Sequence, residues 1–376
     1  MVTEELARRP SLAPSGGFST IDRMTQNSDR HDADALIAFA TALLTRSGVR
    51  DDIARDTADV LVEGDLLGHT THGLALLPGY LAELEKGAMS GQGAPATVEQ
   101  RAAAQTWDGM RLPGPWLTLR ALDAAIDMAR TQGTGTVVIR RSHHIACLAV
   151  YAKRAAERGM IGLVLCSDPS GRSVAPFGGL TAVFTPNPLA AGIPTSRDPI
   201  LLDISASLTT NGLTMRLHEA GEKLAHPWVQ DAQGNVTNDP DVLFREPRGT
   251  LLPLGGQDAG HKGYALALLI EALTGGLAGA GRADAAEGWG ATVFVQALDP
   301  DAFGGAHAHA RQMDWLADAC RASPPRPGVT RVRLPGENGL ARYRDQSAAG
   351  VLLYPTIMPT LRSWASKLGV AVPATS

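Results

Sequence analysis

Leu36, Phe39, Leu43 and Leu44 recur at helical spacing up to Gly48, which predicts a first helix closed by a glycine C-cap. Asp51 or Asp52 is placed to cap a second helix, whose apolar stripe runs through Ile53, Val60, Leu61 and Leu67 to Gly68. Pro78 opens a third stripe, Leu81 and Leu84, that stops at Gly87. The stretch GHTTHG, Gly68 to Gly73, is therefore a helix–loop–helix junction. After an irregular run through SGQGAPATVEQ, helical spacing returns from about Trp116 to Arg130.

Beyond residue 132 the period changes. GTVVIRR (135–141), IGLVLCS (161–167), PLAAGIPT (188–195) and PILLDIS (199–205) are short apolar runs bounded by Gly, Pro or Asp, and they predict strands. A helical segment, CLAVYAKRAAERG, separates the first two, which predicts an α/β unit with at least some parallel pairing. YALALLIEALTGG is almost wholly apolar and predicts a deeply buried helix, and ATVFVQAL (291–298) a buried strand. Helical material over 306–322, a strand at TRVRLPG (330–336) and an amphipathic helix with Leu361, Trp364 and Leu368 complete the pattern. Residues 1–31 are polar with scattered Pro and Gly, so they read as a flexible tail rather than a secretory signal.

Composition narrows the class. With 376 residues, 44% of them hydrophobic and 19% charged, the chain can build a sizeable core. A net charge of −4 gives no reason to expect nucleic acid or an anionic membrane as partner, and no run reaches the ~18 apolar residues of a membrane span. Three widely spaced cysteines, Cys147, Cys166 and Cys320, argue against a disulfide framework and for a reducing cytoplasm.

Histidines carry the candidate chemistry. His69 and His72 share the helix junction, and His143 and His144 follow the strand TVVIR, where α/β folds place ligands. Each could equally be a hydrogen-bonded structural histidine. A metal site lacks support, because neither HExxH nor CxxC occurs and adjacent His143 and His144 would point apart in extended chain. No GxSxG supports a serine hydrolase, and SDPSG around Asp168 reads as a turn after a strand. No GxGxxG links a strand to a helix, so a Rossmann site is not predicted. GHKG, Gly260 to Gly263, puts Lys262 among glycines near a helix start, where charge and dipole favour an anion.

Several segments together resemble the type-2 malate/L-lactate dehydrogenase family, which is NAD(P)-dependent and not Rossmann-like. The family pattern SHG-V-x-R-L-P-x-Y is THGLALLPGY here, and SNHFG is SHHIA. TPNPLAAGIPT, PILLDISAS, GGQDAGHKGYALALLIEALTG and RLPGE resemble four further motifs, collinear from about Asp65 to Glu337. The resemblance implies an α/β fold. A non-Rossmann cofactor-binding domain with a mixed sheet (132–305) would be accompanied by a mainly helical domain (32–131 joined by 306–376). It also implies a homodimer, a small-molecule substrate and NAD or NADP as cofactor. Carried over by motif, His72 and His144 are the catalytic histidines, and Thr71, Tyr80 and Asp168 meet substrate. Ile200, Asp203, Ser205, Lys262, Gly263, Gly336 and Glu337 fall on cofactor segments, and no metal is implied. The reaction implied is interconversion of a 2-hydroxy acid and a 2-oxo acid, with histidine moving the proton.

The departures bear on substrate. Leu76 stands where the family has an arginine for the substrate carboxylate, and Gly79 replaces another arginine nearby. Ile145 and Ala146 replace Phe and Gly, and Asp168 stands where some members have Lys or Asn. Either another cation substitutes, with Arg140, Arg141, Arg172 and Lys262 as candidates, or the substrate is more apolar than malate. Rival readings are a reductase of cyclic imino acids, a catalytically silent metabolite-binding relative and, from another class, a metal-dependent hydrolase.

Overall fold

A computed structural model describes residues 29–285 and 288–375, so residues 1–28 of the expected 1–31 tail lie outside the described residues. Its last two residues, Arg30 and His31, are built into the fold. Arg30–His31 (β1) pair antiparallel with Val351–Leu352, tying the entry of the chain to its C-terminal part. Asp32 then caps Ala33–Arg46 (α1) by accepting the Ala35 N–H at 2.8 Å. Asp51–Leu66 (α2) follows, but neither expected aspartate caps it. Asp51 and Asp52 lie in its first turn, where their charge meets the positive end of the helix. Leu77–Glu85 (α3) has its proline in the first turn, as the sequence predicts.

Two strands follow that the hydrophobic pattern does not show, Ala96–Gln100 (β2) and Ala104–Asp108 (β3). Every β2 residue is exposed, so no apolar face marks it in sequence. Gly114–Gln132 (α4), Thr134–Ser142 (β4), Leu148–Glu157 (α5), Ile161–Ser167 (β5), Pro188–Ile193 (β6) and Ile200–Ser205 (β7) lie where the pattern places them. Next come Asn211–Glu219 (α6), a small sheet of Val229–Gln230 (β8), Val236–Thr237 (β9) and Thr250–Leu251 (β10), and Gly256–Glu271 (α7). The chain ends with Ala291–Leu298 (β11), Ala306–Ala322 (α8), Glu337–Ala349 (α9), Val351–Leu352 (β12) and Ile357–Leu368 (α10). Residues 330–336, expected as a strand, form none. The segment is largely exposed, and the Leu201 N–H of β7 donates to the Pro335 carbonyl at 3.2 Å.

The large sheet has the order β2-β3-β4-β11-β5-β6-β7 and is mixed. Only β3 and β4 pair in parallel; β11 enters between β4 and β5, antiparallel to both. The strand–helix–strand unit β4-α5-β5 thus runs parallel with a third strand inserted in its middle. Both faces of the central strands are covered, which is why they read as continuous apolar runs. Val137, Ile139, Val164, Cys166, Val293 and Val295 face the main core with the N-terminal helices. Val138, Leu165 and Phe294 face a second core built with Phe184, Leu217, Val229 and Ile270.

The main core extends from Leu36 to Ala365 across the sheet, and β2 and β3 belong to that sheet. Strands before and after residue 132 thus lie in one sheet. The expected deep burial of YALALLIEALTGG fails on one side. Gly263, Ala267 and Ile270 face inward, but Leu268, Leu269 and Leu277 are about half exposed.

Helix α5 sits close against the sheet because glycine lies beneath it. A Cβ on Gly162 would collide with Ala155, and one on Gly192 with the Ala152 carbonyl. Gly192→Ala is expected to cost ~2 kcal/mol or more, read as a lower urea midpoint. Gly304→Ala, where a Cβ meets nothing within 4 Å, is the control and is expected to stay within ~0.5 kcal/mol.

Candidate active site

The loop Gly68–Gly73 is built on the end of α2. Gly68 turns the chain with φ +86°, and the His69 N–H returns to the Gly64 carbonyl at 2.9 Å. Asp65, fully buried, reaches forward and accepts the Leu74 N–H at 2.7 Å. Gly73 lies directly on that carboxyl, where a Cβ would collide. Gln346 of α9 donates to the carbonyls of Asp65 and Leu66, each at 2.9 Å. From the other side Arg216 of α6 donates to the Thr70 hydroxyl at 3.0 Å and carbonyl at 2.9 Å, with its guanidinium 3.8 Å above the Tyr354 ring. Held in this way, the loop presents Thr71 and His72 together, with Thr71 Oγ1 and His72 Nδ1 hydrogen-bonded at 2.8 Å.

The second histidine arrives from the end of β4. Gly114, at the start of α4, admits the backbone of His143 and His144, whose carbonyls a Cβ would strike. His144 Nδ1 accepts the Ala146 N–H at 3.2 Å, so in the neutral ring the proton sits on Nε2. The buried Tyr80 hydroxyl lies 3.0 Å from the same Nδ1 and 3.1 Å from the His144 carbonyl. His72 and His144 face each other, with ring centroids 6.0 Å apart and planes 25° apart. His143 and His144 do not diverge as extended chain would require. The chain leaves the sheet at Ser142, and both rings meet Trp289, at 4.8 and 5.1 Å.

Burial keeps both catalytic candidates neutral. It holds His72 down at about 4, with His69 and Arg216 adding repulsion. His144 is pushed well below the usual histidine value, first by burial and then by His72 and His143. The Tyr80 hydroxyl is pushed well above its ordinary value by burial, so it stays a donor.

The other sequence candidates divide into three groups. Asp203 is brought to the catalytic loop. Its Oδ2 lies 4.0 Å from His69 Nδ1 and accepts the Ala149 N–H at 3.0 Å. With Cys147 these groups place three metal-capable atoms within 4.8 Å of one another, but at the positive end of α5, where the dipole opposes a cation. Asp168 lies on a turn whose Ser170 hydroxyl donates to Gly288, beside Trp289, and burial raises its carboxyl.

Ser205, Lys262 and Gly263 form the second group. The Gly263 N–H bonds the Leu254 carbonyl, and a Cβ on Gly263 would collide with Leu254 and approach the Ala206 carbonyl at 2.7 Å. Gly336 packs on Leu201, at the opposite end of β7. Ile200 is buried, and the Glu337 carboxylate is engaged by Arg321 at 2.7 Å and Arg331 at 3.4 Å. Of the substitute cations, Arg140 and Arg141 both pair with Asp108. Sequence reading missed Arg216, Trp289 and Asp65. Only Asp65 left a trace, as an acid inside the apolar run VLVEGDLLG.

The fold thus brings a half-buried, neutral histidine pair beside a tyrosine donor on a mixed sheet without a Rossmann loop. The family model described as malate/L-lactate dehydrogenase matches residues 31–362, and the chain belongs to that family. It is an NAD(P)-dependent oxidoreductase acting on CH–OH groups. The chain is 35% identical to an L-lactate dehydrogenase of Cupriavidus necator, over 89% of this chain and 97% of that one. Its fold is similar to a malate dehydrogenase of Entamoeba histolytica, with TM-score 0.86, 25% identity and coverage of 92% and 99%. It is also similar to a Δ1-piperideine-2-carboxylate reductase of Pseudomonas syringae pvar. tomato, with TM-score 0.78, 26% identity and coverage of 90% and 100%.

Asp65 gives a test of how the loop is held. Burial raises its folded carboxyl from 3.8 to about 7, so the unfolded chain releases this proton first and the folded state loses stability as pH rises through that window. Asp65→Asn keeps an acceptor for Leu74 and removes the ionisation. It is expected to be more stable than the parent at pH 8 by roughly 1–3 kcal/mol, with a smaller gap at pH 4.5, by calorimetry. An equal gap at both pH values would contradict the buried acid.

Proposed function

We propose that the chain interconverts a 2-hydroxy acid and a 2-oxo acid, with His72 moving the proton and His144 holding the reacting oxygen. The observation that carries this division is the hydrogen bonding of the two rings. His144 Nδ1 is taken by the Ala146 N–H, which leaves Nε2–H as a donor able to bind and polarise a carbonyl. His72 meets a hydroxyl at Nδ1, and a hydroxyl can accept. With Nδ1–H directed at Thr71, His72 Nε2 carries the lone pair that receives a proton.

When bound, NAD(P) would supply the hydride acceptor for C2 of the hydroxy acid, or the hydride donor in reduction. His72 takes the hydroxyl proton in the same event, so the hydroxy acid loses two electrons and two hydrogens in all, one as hydride and one as proton. The candidate cofactor residues fit such a group chemically. Lys262 adds charge near the start of α7, Ser205 a hydroxyl and Asp203 a carboxylate, on segments that meet around β7.

We also infer a homodimer. Ala265, Leu268, Leu269 and Ala272 form an exposed apolar stripe on α7, continued by Leu277, with the spacing of one helix face. The substrate is a small molecule, and no helix among the described residues is long and apolar enough to cross a membrane. The three unpaired cysteines support a reducing, cytoplasmic setting.

The purified chain with NADH or NADPH, offered a panel of 2-oxo acids and cyclic imines, tests the reading. No oxidation of either cofactor would end it, and turnover of imines alone would move it to imino acid reduction. His72→Ala is expected to lower kcat by ~10²–10⁴-fold. In oxidation His72 must be neutral, so kcat/KM is expected to hold down to pH 5 and fall only as pH approaches about 4. A limb near 6.5 would overturn the assignment. Leu269→Arg is expected to shift the sedimenting species from dimer to monomer.

A further inference from the structure

Trp289 has no assigned part in the reading above, yet it covers the reacting end of the site. Its ring lies 5.1 Å from His144 and tilted by 37°, and 5.6 Å from Tyr80. It can come so close because of Gly79, where a Cβ would stand only 3.2 Å from the indole. Leu76, the residue before α3, and Tyr80 are one turn apart, so they share a face. Indole and phenol stand beside His144, and the isobutyl group lies one turn before the phenol.

Charge around this wall is arranged against a second acid group. The Arg111 guanidinium is engaged in holding backbone, donating to Ala88 O at 2.5 Å and Trp289 O at 3.0 Å. Arg216 acts on His72, but from the Thr70 side of the catalytic loop. On the turn joined to the Trp289 segment, Arg172 is exposed to solvent while Asp168, an acid, is half-buried. A substrate carboxylate or sulfonate placed there would lose water and meet an apolar face and a like charge. An alkyl or aryl group would gain by burial and by ring contact.

Resting on the 2-hydroxy/2-oxo acid reading, we infer that Trp289, Tyr80 and Leu76 form the subsite for the substrate's side chain. It selects monocarboxylic acids with an apolar side chain over those bearing a second acid group. This separates the chain from a malate-type specificity while leaving the proton and hydride steps unchanged.

The test is kcat/KM of the full-length protein, with whichever of NADH and NADPH it uses, for pyruvate, 4-methyl-2-oxopentanoate, phenylpyruvate, oxaloacetate and sulfopyruvate. The apolar acids are expected to exceed oxaloacetate and sulfopyruvate by tenfold or more. Trp289→Ala is expected to lower the ratio of phenylpyruvate to pyruvate kcat/KM by about tenfold or more, and Trp289→Phe to restore most of that ratio. Leu76→Arg is expected to raise the ratio of oxaloacetate to phenylpyruvate. Oxaloacetate or sulfopyruvate turned over as well as the apolar acids would overturn the subsite while leaving the dehydrogenase reading standing. So would a Trp289→Ala variant with an unaltered side-chain ratio. Failure of every 2-oxo acid with both cofactors would instead remove the reading on which the subsite rests.

Discussion

The bond from the Leu74 N–H to the buried carboxyl of Asp65 is the contact around which the site is organised. It folds the end of the second helix back beneath the loop that carries Thr71 and His72. Gly73 is the residue that lets the chain pass over the carboxyl, and Gln346 and Arg216 brace the same turn from sequence-distant helices. The loop is short and polar, and alone it could not hold a histidine in one orientation. Its geometry comes from four elements that meet only in the folded chain.

A second constraint is the mixed sheet. β11 pairs with β4 on one edge and β5 on the other, while the two cores cover both faces of these central strands. At the end of β4 the chain turns past Gly114 and delivers His143 and His144 to opposite uses. One is wholly buried against Trp289 and Tyr80, and the other faces His72. Desolvation then sets the protonation state, holding the rings of His72 and His144 neutral where charged ones would be penalised by burial.

Much of this was legible before any coordinates. The helices flanking Gly68–Gly73 and five strands follow from apolar spacing, because each buries a face whose period survives in the sequence. β2 was not legible, since all five of its residues are exposed and only hydrogen bonding to β3 makes it a strand. β3 escapes the pattern for a related reason, since its pairing with β4 joins strands on the two sides of residue 132. The helix at Gly256–Glu271 misled in the other direction, because a run apolar on all sides does not say which side lacks a neighbour within the same chain.

By itself the sequence determined the family motifs, and with them His72, His144, Tyr80 and the loss of arginine at Leu76. These are matters of residue identity and order. The tertiary structure alone decided that Trp289, more than 140 residues from His144, packs against it, that Arg216 lies by His72, and that Arg140 and Arg141 pair with Asp108. It also decided which ring nitrogen of His144 carries the proton, through the Ala146 N–H. Such facts depend on distances between side chains brought together by the sheet and its helices, and no local pattern of residues records them.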